Sequence, residues 1–254
     1  MSWFNKNYKR RQIVGVSIFG GAGTVGSYDV EIDIPTDWDA FWDNVRSDLL
    51  DIVPCDPFGN VLTFQRTGAS YANRTLKIEI DNFASPHNNS LNAIFIYFDY
   101  ASESSDRSGS FTASSPKKGY ILLERPHSKI VAPSLGNNAA DIPVTSFFKA
   151  VADEINVYFI DQGYFGSRLE TYNDRLFLEE MNYATAEAYL SNGSVSTSLM
   201  PDDDYMRFGN GFVRCRFKAG ADGTDYAIVV QITTTELQKI DTRAIMRVKN
   251  LLPN

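Results

Sequence analysis

Acidic side chains crowd one stretch of the sequence and are its first candidates for chemistry. Within residues 37–56 there are six aspartates: Asp37, Asp39, Asp43, Asp48, Asp51 and Asp56. Calcium takes six or more oxygen ligands, but these spacings do not give the Asp-x-Asp-x-Asp-Gly order of a calcium loop. The pattern favours a solvated acidic face and predicts no metal, with a calcium site as the alternative.

The other residue types used in catalysis are sparse. His87 and His127 lie in turn-rich stretches outside any zinc motif, and no Gly-x-Ser-x-Gly elbow occurs. Cys55 and Cys215 are far apart, and Cys215 reads as a small apolar residue on a strand. The glycine-rich segment 20–26 is followed by neither the lysine of a phosphate loop nor a helix. We therefore predict no catalytic residue, no cofactor and no enzymatic activity.

Basic and aromatic residues are the remaining candidates, as contacts to a partner. Lys6, Lys9, Arg10 and Arg11 form the one basic cluster, while the net charge of -7 argues against binding to nucleic acid phosphates. Such a cluster is typically a solvated N-terminal arm, or else it docks on an acidic partner. Tryptophans can stack on sugars but more often anchor a core or an interface. The predicted interface residues are Lys9, Arg10, Arg11, Trp38 and Trp42.

Composition limits the kind of protein that carries these residues. The chain has 254 residues, 43% of them hydrophobic and 13% aromatic, enough for one large β domain or two ordinary ones. No stretch approaches the ~18 consecutive apolar residues that a membrane span needs. The N-terminus lacks an apolar signal region behind its charges, so we expect synthesis in a cytoplasm, no membrane partner and reduced cysteines.

Short alternating strands dominate the first half of the sequence. In residues 28–34 and 76–81, apolar and charged residues alternate, as in strands with one wet face. Turn clusters of Pro, Gly, Asn and Asp separate them, which predicts a sandwich or jelly roll over residues 1–125. The Ser-rich residues 101–118 read as a loop or tether, and residues 126–143 as an interdomain linker.

The second half is expected to begin with a helix. Residues 144–161 contain no Gly or Pro, and Phe148, Val151 and Ile155 recur along one stripe. Another short helix is expected in 36–50. Residues 165–189 have no clear period, and a strand and a second helix around 175–189 are an option there. Residues 212–217, 226–235 and 242–249 alternate again and predict three antiparallel strands of an Ig-like sandwich over residues 144–254.

These C-terminal strands also carry a family resemblance. The pattern Gly220-x-x-Gly223-Thr224-Asp225-Tyr226, a strand closing on Ile232-Thr233-Thr234, and Arg243-x-Ile245-x-Arg247-Val248 resembles the C-terminal part of bacteriophage fibre–tail adaptor proteins. Residues 188–198 fit the segment preceding it. The turn Glu236-Leu237-Gln238-Lys239 lacks the glycine that this family often has there. The resemblance implies a virion part, either an adaptor or a related module, and not an enzyme.

The first hundred residues resemble a second family. Trp3, Tyr8-Lys9-Arg10, Asp56-x-x-Gly59-Asn60 and Asn92-x-Ile94-x-Ile96-Tyr97-Phe98 are similar to an uncharacterised jelly-roll module found ahead of concanavalin-like domains. The Asp-x-Arg-Phe box and the closing glycine of that module are missing here. The resemblance implies a jelly roll with a carbohydrate-binding or protein-binding surface.

Together these features predict a mostly β protein with a jelly-roll or sandwich domain, one linking helix and an Ig-like β-sandwich. Its expected function is structural, as an adaptor or connector at the tail, neck or fibre attachment site of a tailed bacteriophage. Its expected partners are other virion proteins and symmetric copies of itself. The alternative is a carbohydrate-binding module in host recognition, which would display its tryptophans on the surface.

Overall fold

The computed structural model describes residues 3–18, 26–86, 90–121, 130–135, 145–150, 155–161, 170–171, 181–201, 207–209 and 212–249. His87, His127 and most of the glycine-rich segment 20–26 lie outside these ranges. So does much of the predicted linker 126–143.

The described part of the chain is almost entirely β-structure. The N-terminal half contains β1 (Arg10–Ile18), β2 (Ser27–Asp33), the short helix α1 (Asp39–Trp42), β3 (Val53–Cys55), β4 (Phe64–Ser70), β5 (Thr75–Ala84), β6 (Ser90–Phe98) and β7 (Lys117–Tyr120). The remainder contains β8 (Ile130–Leu135), β9 (Thr145–Ala150), β10 (Ile155–Asp161), β11 (Glu170–Thr171), β12 (Met181–Tyr189), β13 (Leu199–Pro201), β14 (Arg207–Gly209), β15 (Phe212–Ala219), β16 (Thr224–Thr234) and β17 (Lys239–Lys249). The prediction of a mostly β protein is confirmed.

The strands form two sheets. The first is twelve-stranded, in the order β4-β5-β2-β7-β1-β6-β12-β16-β17-β9, with β11 beside β1 and β3 beside β6. The second is five-stranded, in the order β13-β15-β10-β8, with β14 beside β15. Most neighbours are antiparallel, but β2 with β7, β17 with β9 and β10 with β8 are parallel.

Strand β6 lies at the centre of the molecule because both of its faces are covered. All nine of its residues are buried. Ile94, Ile96 and Phe98 join one core cluster with residues of β1, β2, β4, β5 and the α1 region, which we call the N-terminal core. Leu91, Ala93, Phe95 and Tyr97 point the other way, into a second cluster.

This second cluster, the shared core, combines residues from both halves of the chain. Besides those of β6 it contains Tyr8, Ile13, Val53 and Cys55 from the N-terminal half and Ala184, Ala186, Ala188, Leu199, Val213, Cys215, Phe217, Tyr226, Ile228, Val230, Ile232, Ala244, Met246 and Val248 from the C-terminal half. Residues of β15, in the second sheet, thus pack with residues of β16 and β17, in the first. The domain boundaries predicted from the sequence stay predictions.

The alternation of apolar residues correctly predicted which faces are buried. Val30 and Ile32 of β2, Ile78 and Ile80 of β5, and Val230 of β16 are all fully buried. The three predicted C-terminal strands exist, and β16 pairs antiparallel with β17 from Thr224↔Val248 to Thr233↔Lys239. Strand β15 belongs instead to the other sheet, where it pairs with β10.

The predicted linking helix over 144–161 is wrong. The described parts of this stretch are two strands, β9 and β10, which lie in different sheets. Their sequences, TSFFKA and INVYFID, consist largely of β-branched and aromatic residues, which favour strands because their side chains are restricted in a helix. The helix predicted in 36–50 is reduced to the four residues of α1, and the described part of the helix option around 175–189 is the strand β12.

The Ser-rich loop is irregular, as predicted, but it packs against β4 of the first sheet. The Gly109 N–H donates to the Phe64 carbonyl of β4 at 2.7 Å, and the Phe111 N–H donates to Gln65 Oε1 at 3.1 Å. Within the loop Glu103 is 4% exposed and accepts a hydrogen bond from the Tyr8 hydroxyl at 2.8 Å. The tether interpretation is therefore wrong for residues 103–111.

None of the helices in the described ranges has the length and apolar character needed to cross a bilayer.

Candidate functional site

The predicted interface residues are split between surface and core. Lys9 is exposed, and Arg10 is partly exposed and forms an ion pair with Asp99, Nε to Oδ2 at 2.9 Å. Arg11 is 2% exposed, so the interpretation as a solvated arm fails there. Its guanidinium lies 4.2 Å from the ring centre of Phe95, where a cation is attracted by the aromatic face.

The two predicted tryptophans lie inside the N-terminal core. Trp38 is 5% exposed and stacks on Phe41 with ring centres 4.9 Å apart, and Trp42 is 1% exposed. The indole N–H of Trp42 donates to the Pro35 carbonyl at 2.7 Å. Trp3 is half-buried, with its indole N–H bound to the Tyr8 carbonyl. In the isolated chain Trp38 and Trp42 are thus closed to a partner, while Lys9 and Arg10 are accessible.

Candidate nucleophiles and metal ligands are not brought together. Both cysteines are buried, and loss of solvation raises the pKa of each thiol, which keeps them protonated. Within the described ranges no three His, Cys, Asp or Glu side chains are close enough to hold a metal ion. Of the acidic stretch, Asp51 is fully buried and accepts backbone N–H groups of Arg46, Asp99 and Tyr100. Asp51 therefore holds loops together.

A groove on the outer face of the first sheet is the candidate that sequence reasoning missed. In β12 the small residues Ala184, Ala186 and Ala188 point into the shared core, so the residues between them point outward. The groove encloses about 250 Å³ and is lined by Tyr183, Thr185, Glu187, Tyr189, Val229, Gln231 and Lys239. We call it the tyrosine groove.

The register of three strands sets the groove's polar pattern. Thr185 faces Gln231, which faces Asp241, and the Gln231 amide donates to Asp241 Oδ1 at 2.8 Å. Glu187 accepts a hydrogen bond from the Tyr189 hydroxyl, and this bond together with partial burial raises the pKa of Tyr189. The hydroxyl of Tyr189 therefore stays protonated at any physiological pH and can donate this hydrogen bond.

A second candidate lies at the end of the β16–β17 hairpin, in the turn 234–238 that we call the hairpin tip. The turn is closed by hydrogen bonds from Thr234 N–H to the Gln238 carbonyl at 2.9 Å and from Leu237 N–H to the Thr234 carbonyl at 3.0 Å. Leu237 has a φ of 62° and is 74% exposed. A bulky residue in this left-handed region is strained, because its Cβ crowds the backbone.

The chain matches no protein-family model, no curated protein and no solved structure in the comparisons made. Its function must therefore be inferred from its own residues.

Proposed function

We propose that this protein is a structural component of a tailed bacteriophage particle, an adaptor or connector at the tail, neck or fibre attachment site. It acts by protein–protein assembly, in several symmetric copies, with other virion proteins as partners. In this proposal the N-terminal half is a jelly-roll-like unit and the C-terminal half an Ig-like sandwich. The proposal draws on the resemblance of the sequence patterns in residues 188–198 and 220–248 to those of fibre–tail adaptors, and on the mostly β architecture.

The observation that carries the proposal is Leu237 at the hairpin tip. It is the most exposed of the large apolar side chains in the described ranges, at 74%. Its φ of 62° suits glycine, which would sit there without strain. An apolar side chain held in a strained backbone and projecting into solvent is stabilised when a partner covers it. The hydrogen-bonded turn thus presents an anchor for a protein neighbour.

The rival function, a carbohydrate-binding module built on tryptophans, loses its expected platform. Trp38 and Trp42 are in the core, and Trp3 packs edge-on against Tyr97 with ring centres 5.1 Å apart. A sugar-binding platform needs aromatic faces open to solvent. The aromatic residues that do lie in a surface groove are tyrosines, and they are considered separately below.

The test replaces Leu237 without breaking the turn. Glycine and asparagine both tolerate the left-handed region, so Leu237→Gly and Leu237→Asn should fold with a melting temperature equal to or above that of the wild type. Tagged copies are supplied in the host during infection by the encoding phage, and their content is measured in gradient-purified particles. We expect both variants at about one-tenth of the wild-type level or less, a loss of ~1.4 kcal/mol in contact free energy.

Glu236→Gln is the matched control, because it changes the same exposed tip and keeps the leucine. It should be incorporated as well as the wild type. Absence of the chain from purified particles would refute the virion function. Full incorporation of both Leu237 variants would refute the role of the hairpin tip.

A further inference from the structure

The tyrosine groove runs along one strand with an aromatic ring near each end. Tyr183 and Tyr189 both point outward from β12 and are six residues apart, which corresponds to ~20 Å of extended strand. Between them lie Thr185 and Glu187, with Gln231 on the adjacent strand. The lining of the groove is therefore mostly polar, with its two large flat side chains at opposite ends.

Backbone groups contribute little to whatever binds there. β12, β16 and β17 are hydrogen-bonded to each other along this face, from Tyr183↔Thr233 to Tyr189↔Ala227 and from Thr224↔Val248 to Thr233↔Lys239. An extended peptide recognises a sheet mainly by adding a strand to a free edge, and a sheet face offers no such edge. Recognition in the groove must therefore be by side chains.

The side chains of the groove can both donate and accept hydrogen bonds. Hydroxyl groups of Tyr183 and Thr185 do both, as does the Gln231 amide, whereas the Tyr189 hydroxyl, which donates to Glu187, and Glu187 itself can accept. Among the lining residues that the structure describes, Val229 is the one aliphatic side chain. In the Tyr183–Thr233–Lys239 row at one end of the groove, the buried Thr233 hydroxyl makes no hydrogen bond to a described residue. A ligand that fits this lining carries many hydroxyl groups and few large apolar groups.

The groove and its surroundings carry equal numbers of positive and negative side chains. Glu187 and Asp241 are negative, whereas Lys239 and Arg243 are positive, and all four lie on the outward face of the same three strands. A strongly charged ligand would meet as much repulsion as attraction from these four groups. The balance favours a neutral ligand.

We propose that the tyrosine groove binds a neutral oligosaccharide, with one sugar ring against each of Tyr183 and Tyr189 and the hydroxyls between them bound by Thr185, Glu187 and Gln231. Tyrosine suits this role because its ring offers an apolar face and its hydroxyl a polar tip. The tryptophans on which the rival function depends take no part. The site lies on the sheet face and does not include Leu237, so this proposal stands independently of the proposed assembly function.

The test titrates the recombinant full chain with maltohexaose, cellohexaose and chitohexaose, followed by backbone amide chemical shifts and by calorimetry. We expect at least one of the three to bind saturably and to shift amides of β12 and β16. Tyr189→Ala should weaken that binding ~10-fold or more, because it removes a stacking face. Tyr189→Phe, which keeps the ring and loses only the hydroxyl, should weaken it less. Comparing the affinities of Tyr189→Ala and Tyr189→Phe separates the loss of stacking from a general loss of structure.

Asp225→Asn is the matched control, because it breaks an exposed ion pair with Arg247, Oδ2 to Nε at 3.2 Å, on the same hairpin outside the groove lining. Its affinity should equal that of the wild type. The proposal is overturned if none of the three sugars binds, if the shifted amides lie elsewhere, or if Tyr189→Ala binds as tightly as the wild type. Reduced incorporation of Tyr189→Ala into phage particles without any sugar binding would assign the groove to a protein contact and also overturn it.

Discussion

At the scale of single residues, a missing side chain allows β1, β2 and β7 of the first sheet to pack closely. Gly119 of β7 lies between Val16 of β1 and Ile32 of β2. A Cβ at this position would stand 2.7 Å from Ile32 Cγ1 and 3.1 Å from Val14 Cγ1. Both neighbours are fully buried and have little room to move.

Gly119→Ala should therefore destabilise the protein by ~1–3 kcal/mol, the usual cost of overpacking a core. The control is Gly109→Ala, because the nearest atom to a Cβ there is the Phe64 carbonyl oxygen at 3.8 Å, an ordinary contact. Chemical denaturation of the two variants checks the difference. Equal midpoints for both would mean that β7 shifts freely and that the close packing is not rigid.

Residue identity alone could not predict which candidates are accessible. A run of lysine and arginine is usually solvated, and Lys9 follows that rule. Arg11 breaks it because Phe95 and Tyr97, distant in sequence, converge with the nearby Trp3 around its guanidinium. The tyrosine groove was missed for a related reason. The alanines and the glutamate of β12 favour helices, and only the strict alternation Tyr-Ala-Thr-Ala-Glu-Ala-Tyr indicates a strand.

At the scale of elements, the loop between β6 and β7 protects the outer edge of the first sheet. Strand β4 ends the sheet order, and an open edge invites pairing with other chains. Arg66 of β4 holds the loop in place: it donates to the Leu49 carbonyl, and its Nη2 lies 2.5 Å from Asp106 Oδ1. Its side chain is 9% exposed. The loop is thus part of the fold of the N-terminal half.

Arg66→Ala should release this loop. Hydrogen bonds to a charged group contribute ~1.5–3 kcal/mol, so local opening should become roughly tenfold more frequent or greater. Limited chymotrypsin digestion, with cleavage after Phe111, measures the opening. Arg74→Ala is the control, because Arg74 pairs with Asp39 and Asp43 at the surface with its side chain 41% exposed. Identical digestion of both variants would contradict the anchoring role of Arg66.

Strands with a clear alternation of apolar and polar residues were predictable from the sequence, whereas the strands with which they pair were not. The buried faces of β2, β5, β16 and β17 follow directly from period-two patterns. The parallel pairs β17–β9 and β10–β8 depend on long-range contacts that no local pattern reports. In residues 144–161 the apolar stripe fitted a helix, but β-branched and aromatic residues made strands the better local choice.

At the scale of the whole molecule, the two halves of the chain depend on each other because both faces of β6 are buried. Phe95 points into the shared core and Ile96 into the N-terminal core. Without the C-terminal half, the face of β6 that carries Leu91, Ala93, Phe95 and Tyr97 would lose the part of its cover that β12, β15, β16 and β17 supply. Exposing a fully buried aromatic or aliphatic side chain costs ~1.5–3 kcal/mol, and several would be exposed together. The chain should therefore unfold as one cooperative unit.

Met246→Ala tests this coupling. Met246 is fully buried in the shared core, so the substitution should cost ~2–5 kcal/mol. Trp38 and Trp42 lie in the N-terminal core and report on the other half by fluorescence. We expect the fluorescence midpoint in urea to fall together with the circular dichroism midpoint. The control is the neighbouring Arg247→Ala, on the exposed face of β17, which should move both midpoints little. If Met246→Ala shifts the circular dichroism transition and leaves the tryptophan transition unchanged, the halves are independent domains with the boundary near residues 126–143, as their sequence composition predicts.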